Sequence, residues 1–588
     1  MQILSLRLAA PTVVVLLGLA SVAGAHGHEG DMKMDIGDPS ISRPTFAKMP
    51  DTMDAGPQSY FQYGEHSGFL VAHILLMTLG WMFILPVGVM FSISRSRYRL
   101  PVQILFLVTN AIGVLLVSIY NASTPDLYPG NAHHTIGWIL TWVMSAQVLM
   151  GVMSAYKERN GGFQNEERAA FIPISTQIMA EHQRLQNLGL EDACRFSNDS
   201  GQGTEPNTES LRSQSFSSQD SDHQLPDTLQ HHEQEEQLER SGWVRGSKLN
   251  QFLSRKVPRL LTSSVLRVLQ FAYDVVDRVI FLLGFLGMAT GFITYGGFFI
   301  GPQVFSGLAH FIKGGVFFWY GVLTLGRWAG SFADIGWAWN ISPSKRSRPT
   351  AEFVESFLIF SYGSTNVFLE HLAAWGSEWS AQDLEHISIT IMFIGGGLCG
   401  MVIESRKIRD LLNTTRQTPQ SRLQDDREGR EESEKMEPRT YRFSMNPMPA
   451  LVVLLLGLMM SSHHQESMLS TMIHKQWGNL LAGAAFARAA TYIVFYLSPP
   501  TSTLPGRPPT ELITAFCLMA GGLIFMSSAR DLVLTMELHD LDAMFVFTVS
   551  MGFITFLMAW IILVVAIKGW AVRRENSSIY TYRPMSMA

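Results

Sequence analysis

Apolar residues occur along this chain in long blocks, and polar or charged segments separate the blocks. A helix needs about 20 mostly apolar residues to cross the hydrocarbon core of a bilayer. The blocks that approach this length span residues 68–93, 102–120, 134–156, 279–300, 308–325, 353–372, 384–403, 447–462, 477–497, 511–527 and 543–567. The pattern predicts an all-α polytopic membrane protein with about eleven transmembrane helices in groups of three, four and four.

Two polar segments separate these groups of helices. Residues 158–265 are rich in Ser, Gln, Glu and Asn, and residues 411–445 form a charged linker. Such segments bury too little apolar surface to offset the entropy lost on ordering, so we predict a disordered cytosolic insertion at 158–265. The predicted organisation is a signal peptide (1–25), a luminal tail (26–65), an N-terminal three-helix domain (66–157), the insertion (158–265), four helices (266–410), a charged cytosolic linker (411–445), four more helices (446–572) and a cytosolic tail (573–588).

The first 25 residues have the layout of a secretory signal peptide. Arg7 precedes the apolar stretch "APTVVVLLGLASV", and the small residues Ala23-Gly24-Ala25 follow it. Cleavage after Ala25 makes His26 the mature N-terminus, in the lumen or outside the cell. An uncleaved signal anchor is the alternative.

Basic clusters predict the orientation of the chain in the membrane. Cytosolic loops carry an excess of Lys and Arg. If the N-terminus is luminal, the cytosolic side holds the basic clusters at 95–99, 157–159, 344–348, 404–409 and 568–574. We therefore predict an integral protein of the secretory system or plasma membrane, with a luminal N-terminus and a cytosolic C-terminus.

Composition agrees with a membrane protein whose main partner is the lipid bilayer. Of the 588 residues, 47% are hydrophobic and only 16% are charged. The net charge of −5 combines an acidic middle with basic helix flanks, so it does not indicate nucleic-acid binding. The scattered Cys194, Cys399 and Cys517 provide neither a disulfide framework nor a CxxC metal site.

Histidines outside the insertion all fall on the luminal side of the predicted topology, and several have acidic neighbours. Imidazole and carboxylate groups bind borderline divalent metals such as Zn, Cu or Fe. The residues that we predict to form a luminal metal site are His371, His386, His463, His464, His474 and Glu370. The alternative is hydrogen bonding at the membrane interface, where aromatic rings lie half buried.

The mature N-terminus is a separate candidate metal site. A free amine, two backbone amides and the imidazole of the third residue can form a square-planar set that suits Cu(II). Cleavage after Ala25 would place His26 first and His28 third. An ordinary flexible tail with incidental histidines is the alternative.

Two histidines on the first and third predicted helices are candidate axial ligands of one haem b. His73 and His134 both lie near the luminal boundary, and two such rings can ligate a haem iron from opposite sides. The third helix continues with Gly137, Gln147 and Gly151. The first helix has the pattern His73-x-x-Leu76-Met77-x-x-x-Trp81-x-x-x-x-Pro86-x-Gly88, with a trailing Arg95. These helices resemble those of the ascorbate-reducible cytochromes b and their ferric-reductase relatives.

That resemblance implies a cytochrome-b-like domain at 66–157. In the family the first and third helices share one haem, and the second and fourth share another. Here the second and fourth predicted helices have no histidine. The resemblance therefore implies a single luminal haem.

Four further segments carry a second resemblance that extends over nearly the whole chain. They are "YGEHSGFLVAHILLM", "GLAHFIKGGVFFWYGVLTLGRW", "NPMPALVVLLLGLMMSSHHQESMLSTMIHKQWG" and "LHDLDAMFVFTVSMGF". The chain is similar to fungal integral membrane proteins of the Ytp type, which pair an N-terminal domain of unknown function with a C-terminal Ytp domain. The resemblance implies membrane location and architecture more than it implies an activity.

Polar residues within the apolar blocks suggest a polar path. An ion in a transmembrane helix needs a bundle interior or water against it, and Lys313 and Arg488 lie in such helices. Arg488 either faces a polar interior or extends toward the cytosol. Asn366 belongs to the polar stretch "SYGSTNVFLEH", which needs protein or water against it.

Two functions follow from these residues. The first is a haem or metal redox protein with a luminal site and an unidentified electron donor. The alternative is a metal-handling or small-solute transporter in which the luminal histidines capture the solute.

Overall fold

The structure is a computed structural model, and it describes residues 59–169, 263–301, 304–343, 349–366, 379, 381–414, 443–462, 465 and 467–581. Within these ranges the chain forms helices and connections and has no strand. The protein is an all-α polytopic membrane protein, as the hydropathy pattern predicts.

Thirteen α-helices make up the described ranges. They are α1 (Ser67–Ile93), α2 (Arg99–Ser123), α3 (Ala132–Ala169), α4 (Ser263–Gly296), α5 (Val304–Ala329), α6 (Ala351–Asn366), α7 (Ala381–Glu404), α8 (Arg406–Leu412), α9 (Met448–Ser462), α10 (Met468–Leu497), α11 (Pro509–Ser527), α12 (Arg530–Leu538) and α13 (Ala543–Thr581). Each of the predicted apolar blocks overlaps one of these helices, and the last part of the block 353–372, residues 367–372, lies outside the described residues.

Nine helices of the described residues are long and apolar enough to cross a membrane. The two remaining predicted blocks correspond to α6 and α9, whose described parts are 16 and 15 residues long. A helix of that length extends about 22–24 Å, which is less than the roughly 30 Å of a hydrocarbon core.

Several helices extend past the apolar blocks that predict them. Helix α3 continues to Ala169, α10 begins at Met468, and α13 continues to Thr581. Adding a residue to an existing helix is far easier than starting one. Hydropathy therefore locates the helices but underestimates their lengths.

The chain divides into two compact units. One comprises residues 1–148 and 274–588, and the other comprises residues 149–273. The described part of the second unit consists of the end of α3 and the beginning of α4. All contacts below lie within the first unit.

A backbone irregularity in α1 is matched by a side chain of α13. Pro86 has no N–H to donate to the carbonyl of Met82, four residues earlier. Residues Leu79–Ile84 form a π-helical segment just before the proline. The indole N–H of Trp560 donates to the Met82 carbonyl at 2.8 Å. Helix α13 thus supplies a hydrogen bond that α1 lacks.

Glycines let pairs of helices in the C-terminal half approach closely. A Cβ atom on Gly457 of α9 would lie 2.6 Å from the carbonyl oxygen of Gly478 on α10, and the reverse distance is also 2.6 Å. A Cβ on Gly314 of α5 would lie 2.6 Å from the carbonyl oxygen of Gly522 on α11. Small residues at such positions allow the backbone contacts that pack membrane helices.

Candidate functional site

Five buried ionisable side chains meet between four helices at one end of the bundle. They come from the end of α5, the start of α6, the second half of α10 and the start of α11. We call the set the Arg–Glu network, and its members are Arg327, Glu352, Glu355, Arg488 and Glu511. All five are buried.

Arg327 is at the end of α5 and has a partner for each of its guanidinium nitrogens. Its Nη2 donates to Glu352 at 2.8 Å, and its Nη1 donates to Glu355 at 2.7 Å. Its Nε donates to the backbone carbonyl of Trp337 at 2.9 Å. A buried charge is tolerated when it is paired and hydrogen-bonded in this way.

Glu352 and Glu355 lie three residues apart near the N-terminus of α6, on one helix face. The positive end of the helix dipole favours carboxylates there. Glu355 also accepts hydrogen bonds from the Tyr320 hydroxyl at 2.9 Å and from Arg488 Nη1 at 3.4 Å. Glu355 therefore connects both arginines.

Arg488 and Glu511 form the second half of the network. The Nε atom of Arg488 lies 2.7 Å from a Glu511 carboxylate oxygen, but neither atom has a hydrogen-bond partner of suitable geometry in the described structure. The contact is therefore an ion pair without a well-directed hydrogen bond. Arg488 Nη2 donates weakly to Thr324 at 3.4 Å.

A non-helical segment between α5 and α6, residues 336–340, covers the network. The ring of Trp339 lies 4.6 Å from the Arg327 guanidinium and 5.2 Å from that of Arg488, and it stacks on Phe495. Trp339 has a φ of 56°, which is rare for a bulky residue and implies local strain. The Asn340 amide holds the segment by donating to the carbonyls of Ala333 and Thr503.

The charges of the network do not cancel when every member is ionised. Two guanidinium groups face three carboxylates, so one negative charge is in surplus. Two phenols adjoin the network: Tyr320 is half buried and donates to Glu355, and Tyr492 is buried.

The opposite ends of α5 and α10 bring two histidines to an aromatic stack. The rings of Trp477 and Phe525 stack at 4.2 Å. His474 lies 5.9 Å from Trp477, and His310 lies 5.7 Å from Phe525, both measured between ring centroids. The Nδ1 of His474 donates to the Ser470 carbonyl at 2.8 Å. Of the predicted metal-site residues, His474 alone has a described side chain.

Of the predicted haem ligands, His73 is buried and His134 is exposed. The ring of His73 faces His133, with ring centroids 6.5 Å apart, and its Nδ1 donates to the Gly113 carbonyl at 2.8 Å. His134 accepts a hydrogen bond from the Trp138 indole instead. Consecutive residues differ by about 100° around a helix, so only one of two adjacent histidines can face α1.

A further buried carboxylate joins three helices of the N-terminal half. Asp277 of α4 accepts hydrogen bonds from Ser92 of α1, at 2.5 Å, and from the Gln147 amide of α3. All three side chains are buried. This group ties α1, α3 and α4 together.

The remaining predicted residues fall in three groups. Lys313 lies half buried on α5. His386 lies near the start of α7, and Asn366 is the last residue of α6. The predicted residues that lie outside the described ranges are His26, His28, Glu370, His371, His463 and His464. Among the described residues, no group of three or more His, Cys, Asp or Glu side chains is positioned to hold a metal ion.

Sequence reasoning identified one member of the network, Arg488. The other four lie within a few residues of a helix end, where a charge is usually explained by exposure to the interface. A signal was nevertheless present in "GWAWN" (336–340), because a Trp-rich connection between apolar helices is unusual for an exposed loop.

Comparison with known sequences finds a family match in each half of the chain. Residues 283–569 match the family described as Protein YTP1-like, C-terminal, and residues 54–157 match a domain of unknown function, DUF2427. The chain is 35% identical over 524 residues to an uncharacterised membrane protein of Schizosaccharomyces pombe, and the match covers 87% of this chain and 96% of the relative. The chain belongs to the YTP1-like family. The Arg–Glu network lies in the YTP1-like region, whereas the facing histidines lie in the N-terminal domain.

Two relatives from Saccharomyces cerevisiae extend the comparison within the YTP1-like family. An uncharacterised membrane protein is 31% identical over 585 residues, which cover 90% of this chain and 85% of the relative. Protein YTP1 is 26% identical over 253 residues, covering 42% of this chain and 43% of its own length. No solved structure matches the chain.

Proposed function

We propose that this protein is a membrane transporter for a small cation, with the Arg–Glu network as the charged part of its path. The observation that carries the proposal is the burial of the Arg488–Glu511 pair between helices that are able to cross a membrane. Ionisable residues inside membrane bundles are rare and commonly mark ion or substrate pathways.

The net charge of the network favours a cation over an anion as its ligand. With every member ionised, the three carboxylates exceed the two guanidinium groups by one charge. A buried surplus of negative charge attracts a positive ligand and repels an anion.

The irregular connections next to the network also support a transport role. Non-helical backbone at membrane depth is tolerated where protein buries it or where it lines a cavity. Ala338, Trp339 and Asn340 are non-helical and buried. The backbone of this segment is hydrogen-bonded to the α10–α11 connection, from Gly506 N–H to the Ala338 carbonyl at 3.0 Å.

Histidines lie near the starts of α5 and α10, and the charged residues of the Arg–Glu network lie toward the other ends of these two helices. On α10, His474 and Arg488 are 14 residues apart, or about 21 Å along the axis. In our proposal the histidine end is luminal and captures the cation, because imidazole suits borderline divalent metals. The network end is cytosolic and acts as the coupling element.

Transport is tested with purified full-length protein in liposomes that contain a fluorescent metal indicator. Zn²⁺, Mn²⁺, Fe²⁺ and Cu²⁺ are added outside in separate experiments. We expect at least one cation to enter faster than into protein-free liposomes, and Arg488→Gln to abolish the difference. Glu385→Gln, which changes an exposed carboxylate on α7, is the matched control and should transport normally. Entry of all four cations at the protein-free rate would contradict the proposal.

A second candidate function is a haem redox protein, which the facing rings of His73 and His133 favour. Because His73 donates from Nδ1 to the Gly113 carbonyl, its Nε2 carries the lone pair that a metal ligand needs. The residues that would hold a haem b are His73 and His133, the latter in place of the predicted His134. A haem there would supply one-electron redox chemistry.

Visible absorption of the purified protein tests the haem candidate. We expect a haem band that is lost in His73→Ala and in His133→Ala, but kept in His134→Ala. A protein without visible absorption would rule this candidate out and leave the transport proposal unaffected.

The predicted luminal metal site remains a separate proposal. Metal analysis of protein purified without added metal tests it, with His463→Ala/His464→Ala as the variant. Unchanged metal content would return these two histidines to an interfacial role.

A further inference from the structure

Glu511 differs from the other carboxylates of the Arg–Glu network in its hydrogen bonding. Its exposed fraction is 0%, and neither of its carboxylate oxygens has a partner with good hydrogen-bond geometry, although the Thr491 hydroxyl lies close to it. Glu352 accepts one hydrogen bond from Arg327, and Glu355 accepts three, from Arg327, Tyr320 and Arg488. Glu511 is therefore the least stabilised of the three as an anion.

The surroundings of Glu511 come from each element near it. Helix α5 contributes Arg327, α6 contributes Glu355, and α10 contributes Arg488 and Thr491. Tyr320 and Tyr492 lie next to Arg488. Helix α13 packs against α11 through apolar side chains, including Ile554 and Met558. Arg488 is the nearest cation, but Glu355 shares it.

The network as a whole holds one negative charge too many. An uncompensated charge in a buried site is strongly unfavourable, and such sites neutralise by binding a proton or a cation. Hydrogen bonds from charged donors favour the ionised forms of Glu352 and Glu355. Of the three carboxylates, Glu511 is therefore the most favourable one to protonate.

We propose that Glu511 binds and releases the one proton that neutralises the Arg–Glu network. The proton passes from water to a Glu511 carboxylate oxygen, and the net charge of the network changes from one negative charge to zero. On release the proton returns to water, and Glu511 becomes the ion-pair partner of Arg488. This inference rests on the proposed transport function, for which it names H⁺ as the coupling ion.

A pair of hydroxyl groups connects Glu511 with the surface. Thr510 is half exposed and Thr491 is fully buried, and their hydroxyl oxygens are 2.5 Å apart. The Thr491 hydroxyl lies beside Glu511, although its directed partners are Thr510 and the Ala487 carbonyl. Hydroxyl groups both donate and accept, so the pair can pass a proton inward by exchanging its hydrogen bonds.

Protonation of Glu511 also changes the partners of Arg488. A neutral Glu511 no longer forms an ion pair, so Arg488 is left with Glu355 as its anion. Arg488 also lies over the Trp339 ring in the segment that covers the network. The protonation state of Glu511 is thereby coupled to the element that closes this end of the bundle.

Infrared spectroscopy tests the inference without knowledge of the transported cation. Full-length protein in lipid is cycled between pH 5 and pH 8 buffers, values chosen at about one to two pH units on either side of neutrality. The difference spectrum is examined for the carbonyl stretch of a protonated carboxylic acid. We expect a pH-dependent band that is lost in Glu511→Gln and kept in the exposed control Glu385→Gln.

Glu511→Asp keeps the inference testable if Glu511→Gln does not fold, because it retains a carboxyl group and should move the band. Size-exclusion chromatography identifies variants that are misfolded. A wild-type spectrum without the band, or a band unchanged by Glu511→Gln and Glu511→Asp, would overturn the inference.

The result can be separated from that of the transport experiment. A Glu511 band in a protein that moves none of the four metal ions keeps the proton site and rejects the proposed function. Metal transport by a protein without the band rejects the proton site and keeps the function.

Discussion

Glu355 is the residue on which both arginines of the network depend. It accepts hydrogen bonds from Arg327 Nη1, Tyr320 and Arg488 Nη1. Removing one partner of a buried ion pair leaves the others uncompensated, which is far more costly than the net worth of the pair. Glu355 should therefore matter more for stability than any exposed acidic residue.

We predict that Glu355→Ala lowers the free energy of unfolding by about 3–5 kcal/mol, because it leaves two buried guanidinium groups and the Tyr320 hydroxyl without this acceptor. Thermal unfolding of the detergent-solubilised protein measures the effect as a lower midpoint. Glu385→Ala on the exposed face of α7 is the matched control and should leave the midpoint unchanged. Equal midpoints for the two variants would mean that the network contributes no stability.

Trp339 supports a second prediction at this scale. Its ring contacts both guanidinium groups, and each desolvated cation–π contact contributes up to about 2 kcal/mol. We expect Trp339→Leu to be less stable than Trp339→Phe by about 2 kcal/mol. Both variants keep the unfavourable backbone conformation, so the difference isolates the aromatic ring. Indistinguishable unfolding midpoints would show that the ring is only a spacer.

At the scale of elements, glycine pairs decide which helices can touch. Helices α9 and α10 meet where Gly457 and Gly478 face each other, and α5 meets α11 where Gly314 faces Gly522. In lipid, helix association depends on such close packing, because no hydrophobic effect drives helices together. The network is held in place by these contacts, since α5, α10 and α11 all contribute to it.

We predict that Gly457→Ala destabilises the protein by about 1–3 kcal/mol, because the new methyl group meets backbone that cannot move aside. Gly552→Ala on α13 is the matched control, since a Cβ there has no neighbour within 4 Å. That substitution should be neutral or stabilising by about 0.5–1 kcal/mol, as glycine weakens a helix interior. Unfolding midpoints that fall equally in both variants would argue against close α9–α10 packing.

For the whole molecule, the basic clusters predict one orientation. We expect protease added to sealed microsomes to cut within 160–263 and within 413–439, both of which should be cytosolic. An epitope placed in residues 26–65 should stay protected until detergent opens the vesicles, which provides the internal control. Protection of either predicted cytosolic segment would require a different orientation, and the network would then face the other compartment.

The sequence by itself determined the class of the protein and the position of its helices. Each predicted apolar block corresponds to a helix, because apolar length is the requirement that the bilayer imposes. Apolar length says little about where a helix ends in water, so the starts of α4 and α10 and the end of α13 required the structure. The sequence also indicated that Arg488 needs an explanation, because a buried ion is unfavourable without one.

Only the tertiary structure decided what surrounds Arg488. Its partners Glu355 and Glu511 are 133 residues before it and 23 residues after it in the chain, and no local pattern links them. The same limit applies to His73, which faces His133 and not the adjacent His134, because the rotation of α3 about its axis depends on packing. Periodicity predicts a helix from residues near in sequence, whereas a buried network depends on which helices pack together and how each is rotated.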